Sequence, residues 1–314
     1  MSLLKKILIG LAGLVVLLIL VYFLFPGAVL WTGNTMARMS ADVSCSRVDA
    51  AGHDWAYLEG GNEEGESIIF LHGFGMSKDL WTAVLPPFSE KFHLVVPDLP
   101  GFGETEDVEG QEYDVAVQAD RLDKFINKVG LESFHLVGVS MGGGIAGIYA
   151  ARHPDRIKSL VLIGPYGVQC PKRSEFQEQY SRGTMVLVSE NVDEFDRALS
   201  YAMKYPPEIP SHVKKYLSNE AAGEKPFLVR GFDRQIKIAG WNTLQPYLGR
   251  IKAPTLVIFG KDERVFDPSC ASRYREGIQK CTTEVIPDSG HLAYADQPEK
   301  VSKMLISFIE ATGR

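Results

Sequence analysis

Five residues carry the first chemical signal in this chain. Gly138-Val139-Ser140-Met141-Gly142 forms a GxSxG pattern. Five letters say little alone, but here they follow an apolar run, SFHLVG, and open a small-residue helical pattern, GGGIAGIYAARHP. Strand, sharp turn and helix in that order are what a nucleophile elbow needs, so Ser140 is expected at the strained tip. A serine hydroxyl attacks a carbonyl only when a base takes its proton. Of the seven histidines, His291 stands where such a base belongs, in Pro287-Asp288-Ser289-Gly290-His291 between the last strand pattern and the final helix. An acid must then orient the imidazole and stabilise its charged form. The segment Gly260-Lys261-Asp262-Glu263-Arg264, between serine and histidine in the chain, offers Asp262 and Glu263 as neighbours. The developing oxyanion needs prearranged donors. His72-Gly73-Phe74-Gly75 has the HG-x pattern of an oxyanion loop, and the backbone N–H groups of Phe74 and Met141 are its expected donors.

These residues must be held by a sheet. Short apolar runs at residues 67–73, 92–98, 133–139, 157–164 and 254–260, with a weaker one at 282–288, alternate with helical patterns such as Val115, Leu122, Ile126 and Val129. Runs of that kind belong to strands covered on both faces, so the expected fold class is α/β with a mostly parallel sheet flanked by helices. Between Gly164 and Pro254 no convincing strand occurs, and a structureless loop of that length is implausible. A helical cap over residues 165–253 is expected, splitting the core into 43–164 and 254–314. Asp98-Leu99-Pro100-Gly101-Phe102-Gly103 is expected to shape a loop beside the site.

The N-terminus is of another kind. Residues 7–25 are uncharged throughout, preceded by Lys5-Lys6 and followed by Pro26-Gly27. At about 1.5 Å per residue they make a helix of roughly 28 Å, enough for a hydrocarbon core. The apolar stretch is long for a cleaved signal peptide and no small-x-small site follows directly, so an uncleaved single-pass anchor is expected, tethered through residues 32–42. The two lysines favour a cytoplasmic N-terminus and hence a catalytic domain on the opposite side.

Composition narrows the partners. With 45% hydrophobic and 23% charged residues the chain is an ordinary globular one. Its formal charge of −6, or −8 without Lys5 and Lys6, makes nucleic acid an unsuitable partner. Cys45, Cys170, Cys270 and Cys281 match no zinc pattern, and neither metal nor cofactor is expected. Cys270 and Cys281, read as the ends of one helix, would lie roughly 16 Å apart, too far for a disulfide.

With these residues placed, the chain resembles the α/β-hydrolase superfamily over residues 55–312. Within it the chain is similar to membrane-anchored monoacylglycerol lipases and related bacterial lipases. The resemblance rests on FHLVGVSMGGGIAGIYAARHPDRIKSLVLIGPYG and APTLVIFGKDERVFDPS. It implies Ser140 as nucleophile, His291 as base, Phe74 and Met141 as oxyanion donors, and a lid that accepts an acyl chain from a lipid or fatty-ester substrate. The family's usual aspartate stands three residues after the strand-ending glycine, where this chain has Glu263. That register favours Glu263 over Asp262 as the acid. Meta-cleavage carbon–carbon hydrolases resemble the same core but often carry tryptophan after the histidine, where this chain has Leu292. Non-catalytic members that have lost a triad residue are a further alternative, opposed by the retention of all three residue types.

Overall fold

The computed structural model describes residues 2–312. Helix α1 (Leu3–Leu24) contains an 18-residue stretch of mean hydropathy 3.1 and buries none of its residues, so it is a candidate membrane span. Helix α2 (Pro26–Ser40) follows after one residue, where the expectation was a tether over residues 32–42. Within this helix the Thr32 and Thr35 hydroxyls donate back to the carbonyls of Ala28 and Trp31, which satisfies these polar side chains inside the helical turn.

Strands β1 (Val43–Ala50) and β2 (His53–Gly61) form a hairpin that the apolar-run pattern does not reveal. Strand β1 lies at the sheet edge with a half-exposed, polar face, so its sequence lacks a continuous apolar run. Its two-residue turn, Ala51-Gly52, has positive φ at both positions. The chain continues through β3 (Ser67–Leu71), the short α3 (Pro86–Ser89), β4 (His93–Pro97), α4 (Val115–Val129), β5 (Phe134–Val139), α5 (Met141–Arg152) and β6 (Ile157–Ile163). Helices α6 (Glu175–Ser181), α7 (Val192–Ala202) and α8 (Ser211–Ala239) then occupy the long interval before β7 (Thr255–Gly260). Helix α9 (Cys270–Gly277), β8 (Cys281–Ile286), the short α10 (Ala293–Asp296) and α11 (Pro298–Thr312) complete it.

The eight strands run in the order β1-β2-β4-β3-β5-β6-β7-β8, parallel from β4 to β8, with β2 antiparallel to both of its neighbours. The strands found at 67–71, 93–97, 134–139, 157–163, 255–260 and 281–286 correspond to the six apolar runs. The central three, β3, β5 and β6, are buried along nearly their whole length, as strands covered on both faces must be. Amphipathic α4 supplies one cover: Leu122, Phe125 and Ile126 are fully buried, and Asp114 caps its first turn through the amides of Ala116 and Val117. On the opposite face Trp81, Phe88 and Tyr294 pack with Leu305 and Ile309 of α11.

Cys170 and Cys270 form a disulfide, joining the segment after β6 to the start of α9. Helix α9 ends at Gly277, so Cys281 lies on β8 and not on a continuous helix with Cys270. Cys45 and Cys281 are free.

Candidate active site

The carboxyl ends of β3, β5, β6 and β7 meet at one place. Ser140, between β5 and α5, has φ 54° and ψ −118°, a left-handed backbone that a β-carbon-bearing residue adopts only under constraint. The constraint is visible: its N–H donates to the Ile163 carbonyl at 2.9 Å, and its carbonyl accepts from Gly144 and Tyr166. Helix α5 can start this close to the sheet because residue 142 is glycine; a Cβ there would sit 2.4 Å from the His72 carbonyl oxygen.

His291 and Glu263 form a buried pair. His291 Nδ1 lies 2.8 Å from Glu263 Oε2, and the other carboxylate oxygen accepts from the amides of Val265 and Phe266 at 2.7 and 3.1 Å. The Glu263 side chain is wholly shielded from solvent, and Phe266 packs edge-on against the imidazole at 5.5 Å. Asp262 turns the other way, where its carboxylate meets Lys204 Nζ at 2.8 Å and is 44% exposed. Of the two acids left open by the sequence, Glu263 is the one in contact with histidine. Gly164 (φ +48°) joins the two halves: a Cβ on it would reach to 2.8 Å from His291 Nδ1, while the preceding Ile163 holds the Ser140 amide.

The His72-Gly73-Phe74 turn closes the third side. A Cβ on Gly73 would lie 3.2 Å from the Ser140 Cβ, so the turn passes directly over the serine. His72 is fully buried, and burial lowers its pKa and keeps it neutral. Its Nε2 accepts from Leu99 N–H at 2.9 Å, so Nδ1 carries the hydrogen and donates to the Gly73 carbonyl at 2.8 Å. Met141 begins α5, where the first helical amides lack intrahelical partners.

Beside Ser140 opens a partly open cleft with a mainly apolar lining. Its core-side wall includes Phe74, Met141 and Phe266, and its opposite wall comes from Phe176 of α6 and Phe227, Leu228 and Phe232 of α8. Phe102, from the loop expected beside the site, also lines it.

A strained serine, a buried histidine–carboxylate pair and an apolar cavity are now in one place. Residues 66–298 match the family described as the alpha/beta hydrolase fold. This chain belongs to that family. Monoacylglycerol lipase abhd6-A of Xenopus laevis is 31% identical to it over 254 residues, 78% of this chain and 75% of that protein. Lipase 1 of Psychrobacter immobilis is 29% identical over 266 residues, 83% of each. A crystal structure of a membrane phospholipase A, described as a novel bacterial virulence factor, superposes with a TM-score of 0.89 at 33% identity over 99% of both chains. The chain is an α/β hydrolase of the ester-cleaving, lipase-like kind.

Sequence reasoning did not find the Cys170–Cys270 disulfide, the part played by Gly164, or the buried Lys78–Asp98 ion pair behind the His72 turn. Lys78 is an unremarkable lysine until topology places it over Asp98, twenty residues away. Gly164 ends a strand pattern, which could have marked it as a turn.

Proposed function

We propose that this protein is a serine esterase acting on fatty esters, most directly monoacylglycerols and other acylglycerols, through an acyl-enzyme. The observation that carries this reading is the buried His291–Glu263 pair beside Gly164, whose neighbour Ile163 holds the amide of Ser140 at the edge of an apolar cleft. Ser140 Oγ attacks the ester carbonyl while His291, its Nδ1–H held by Glu263, receives the proton through Nε2. The amides of Phe74 and Met141 stabilise the oxyanion. Collapse of the tetrahedral intermediate transfers the proton from His291 to the departing alcohol. Water then repeats the sequence and releases the fatty acid.

The helices between β6 and β7 act as a lid whose apolar wall receives the acyl chain. Helix α1 serves as a single-pass anchor, and its last aromatic rings, Tyr22 and Phe23, contact His212 at the start of α8, with ring centroids 4.6 and 5.0 Å apart. That contact holds the lid beside the bilayer from which an amphiphilic substrate is drawn. The catalytic domain lies on the non-cytoplasmic side. Lys5 and Lys6 support this orientation, as does the Cys170–Cys270 disulfide, since such bonds persist in oxidising compartments.

A second substrate class is favoured by one observation, the likeness to the membrane phospholipase A over the whole chain, α1 included. Glycerophospholipids present the same acyl ester with a larger, charged head group. A carbon–carbon hydrolase reading has only the shared core behind it, with Leu292 after the histidine. The test is hydrolysis of monoacylglycerols of graded chain length and of matched phospholipids by wild type and Ser140→Ala. The reading expects monoacylglycerol turnover that vanishes in the variant. Turnover confined to phospholipid would select the second class, and turnover of neither ester would refute both.

A further inference from the structure

The turn that carries Phe74 is pinned at its far end by a charged network that reaches the helix next to the membrane span. Residues 72–77 run directly into Lys78 and Asp79. The Lys78 backbone amide donates to Asp98 Oδ1 at 2.6 Å, and its ammonium donates to Asp98 Oδ2 and Glu104 Oε1, both at 2.7 Å. Lys78 and Asp98 are both completely buried. Burial alone would lower the Lys78 pKa, but the two carboxylates outweigh it and raise it, so the ammonium stays charged. Asp98 in turn precedes Leu99, whose N–H holds His72 Nε2. The same network therefore grips the oxyanion turn at both ends.

Arg38, in the last turn of α2, completes it from outside. Its Nε and Nη2 donate to the two oxygens of Asp79, each at 2.6 Å, and Nη2 also approaches Glu104 at 3.3 Å. Both side chains of the Arg38–Asp79 fork are about 15% exposed, so solvent screens this pair far less than a surface bridge. A bidentate fork fixes direction as well as distance, which a point charge does not.

We propose that Arg38 is a positioning residue for the oxyanion hole: docked through Asp79 and Glu104, it makes the placement of the Phe74 amide depend on the membrane-proximal helix. The inference rests on the reading of Ser140 as nucleophile and Phe74 as oxyanion donor. It joins the proposed anchor to the chemistry, because the helix that leaves the bilayer end of α1 also supplies the clamp on the turn over Ser140.

The test uses the full-length protein in detergent micelles, with Arg38→Ala, Arg38→Lys, Asp79→Asn and the double variant Arg38→Ala/Asp79→Asn. Three quantities are read: kcat and KM on a soluble short-chain ester, the inhibition constant of a trifluoromethyl ketone whose serine adduct carries the oxyanion, and the extent of fluorophosphonate labelling. A donor lost outright costs about 10²–10³ in kcat, so a displaced one should cost about tenfold. Arg38→Ala should lower kcat about tenfold with KM within about twofold, and should weaken the ketone by the same factor. Arg38→Lys should recover only part, and the double variant should be no worse than either single. If Arg38→Ala melts before assay, Arg38→Lys and Asp79→Asn carry the same comparison. Complete labelling of wild type and variants with unchanged kcat and ketone affinity would overturn the coupling and leave the hydrolase reading intact. A kcat loss without weaker ketone binding would also overturn it, and a wild type that resists labelling would remove both claims.

Discussion

The acid assignment turns on a single side-chain direction. Asp262 and Glu263 are adjacent and both plausible by composition, yet one side chain faces His291 and the other faces Lys204 in solvent. Glutamate's extra methylene is accommodated because the loop after β7 folds back, giving its second oxygen the Val265 and Phe266 amides. Removing an orienting acid can cost about 10⁴ in turnover. Glu263→Gln should therefore be crippled under an assay in which Asp262→Asn remains near wild type. The reverse ranking would move the acid to Asp262. Ser140, His291 and the glycine register were legible because each is tied to a local pattern. Lys78, Arg38 and Asp79 were not, since their partners lie 20 to 66 positions away in the chain and charged residues carry no periodicity that reports burial.

Among the elements, the parallel strands announce themselves through continuous apolar runs, whereas the β1–β2 hairpin at the edge does not. The segment from Gly164 to Pro254 is legible as helical for want of strands, but its attachment is not. That attachment includes the Cys170–Cys270 bond, which closes a separation of 100 residues. On a chain-entropy account a loop of that length loses about 4.7 kcal/mol of unfolded-state freedom, an upper figure that native strain reduces. Cys170→Ser/Cys270→Ser, or reduction of the wild type, should lower the melting temperature by several degrees, and an unchanged melting curve would mean the bond is absent or without consequence. The lid role is tested by Phe232→Ser, which makes the cavity wall from α8 polar. Each methylene buried is worth about 0.8 kcal/mol, so the loss in kcat/KM should be small for acetate esters and large for long-chain ones. Equal losses for both would make these helices structural and not chain-binding.

For the whole molecule, a bare apolar helix, a second helix lying against α8 and the edge strand β1, and a site opening beside α8 form one continuous arrangement. If α1 spans a bilayer, the protein should stay with the membrane fraction through high-salt and carbonate washes, and release into the soluble fraction would refute the anchor. A domain on the non-cytoplasmic side should resist protease added to the cytoplasmic face; digestion there would refute the orientation and leave the anchor standing. Every expectation about ester turnover depends on the serine being a nucleophile. The direct measurement is mass-spectrometric mapping of a fluorophosphonate adduct on the full-length protein. The account predicts one adduct, on the tryptic peptide that contains Ser140, and its disappearance together with ester turnover in Ser140→Ala. Ester turnover with no adduct on Ser140, or an active Ser140→Ala enzyme, would contradict it.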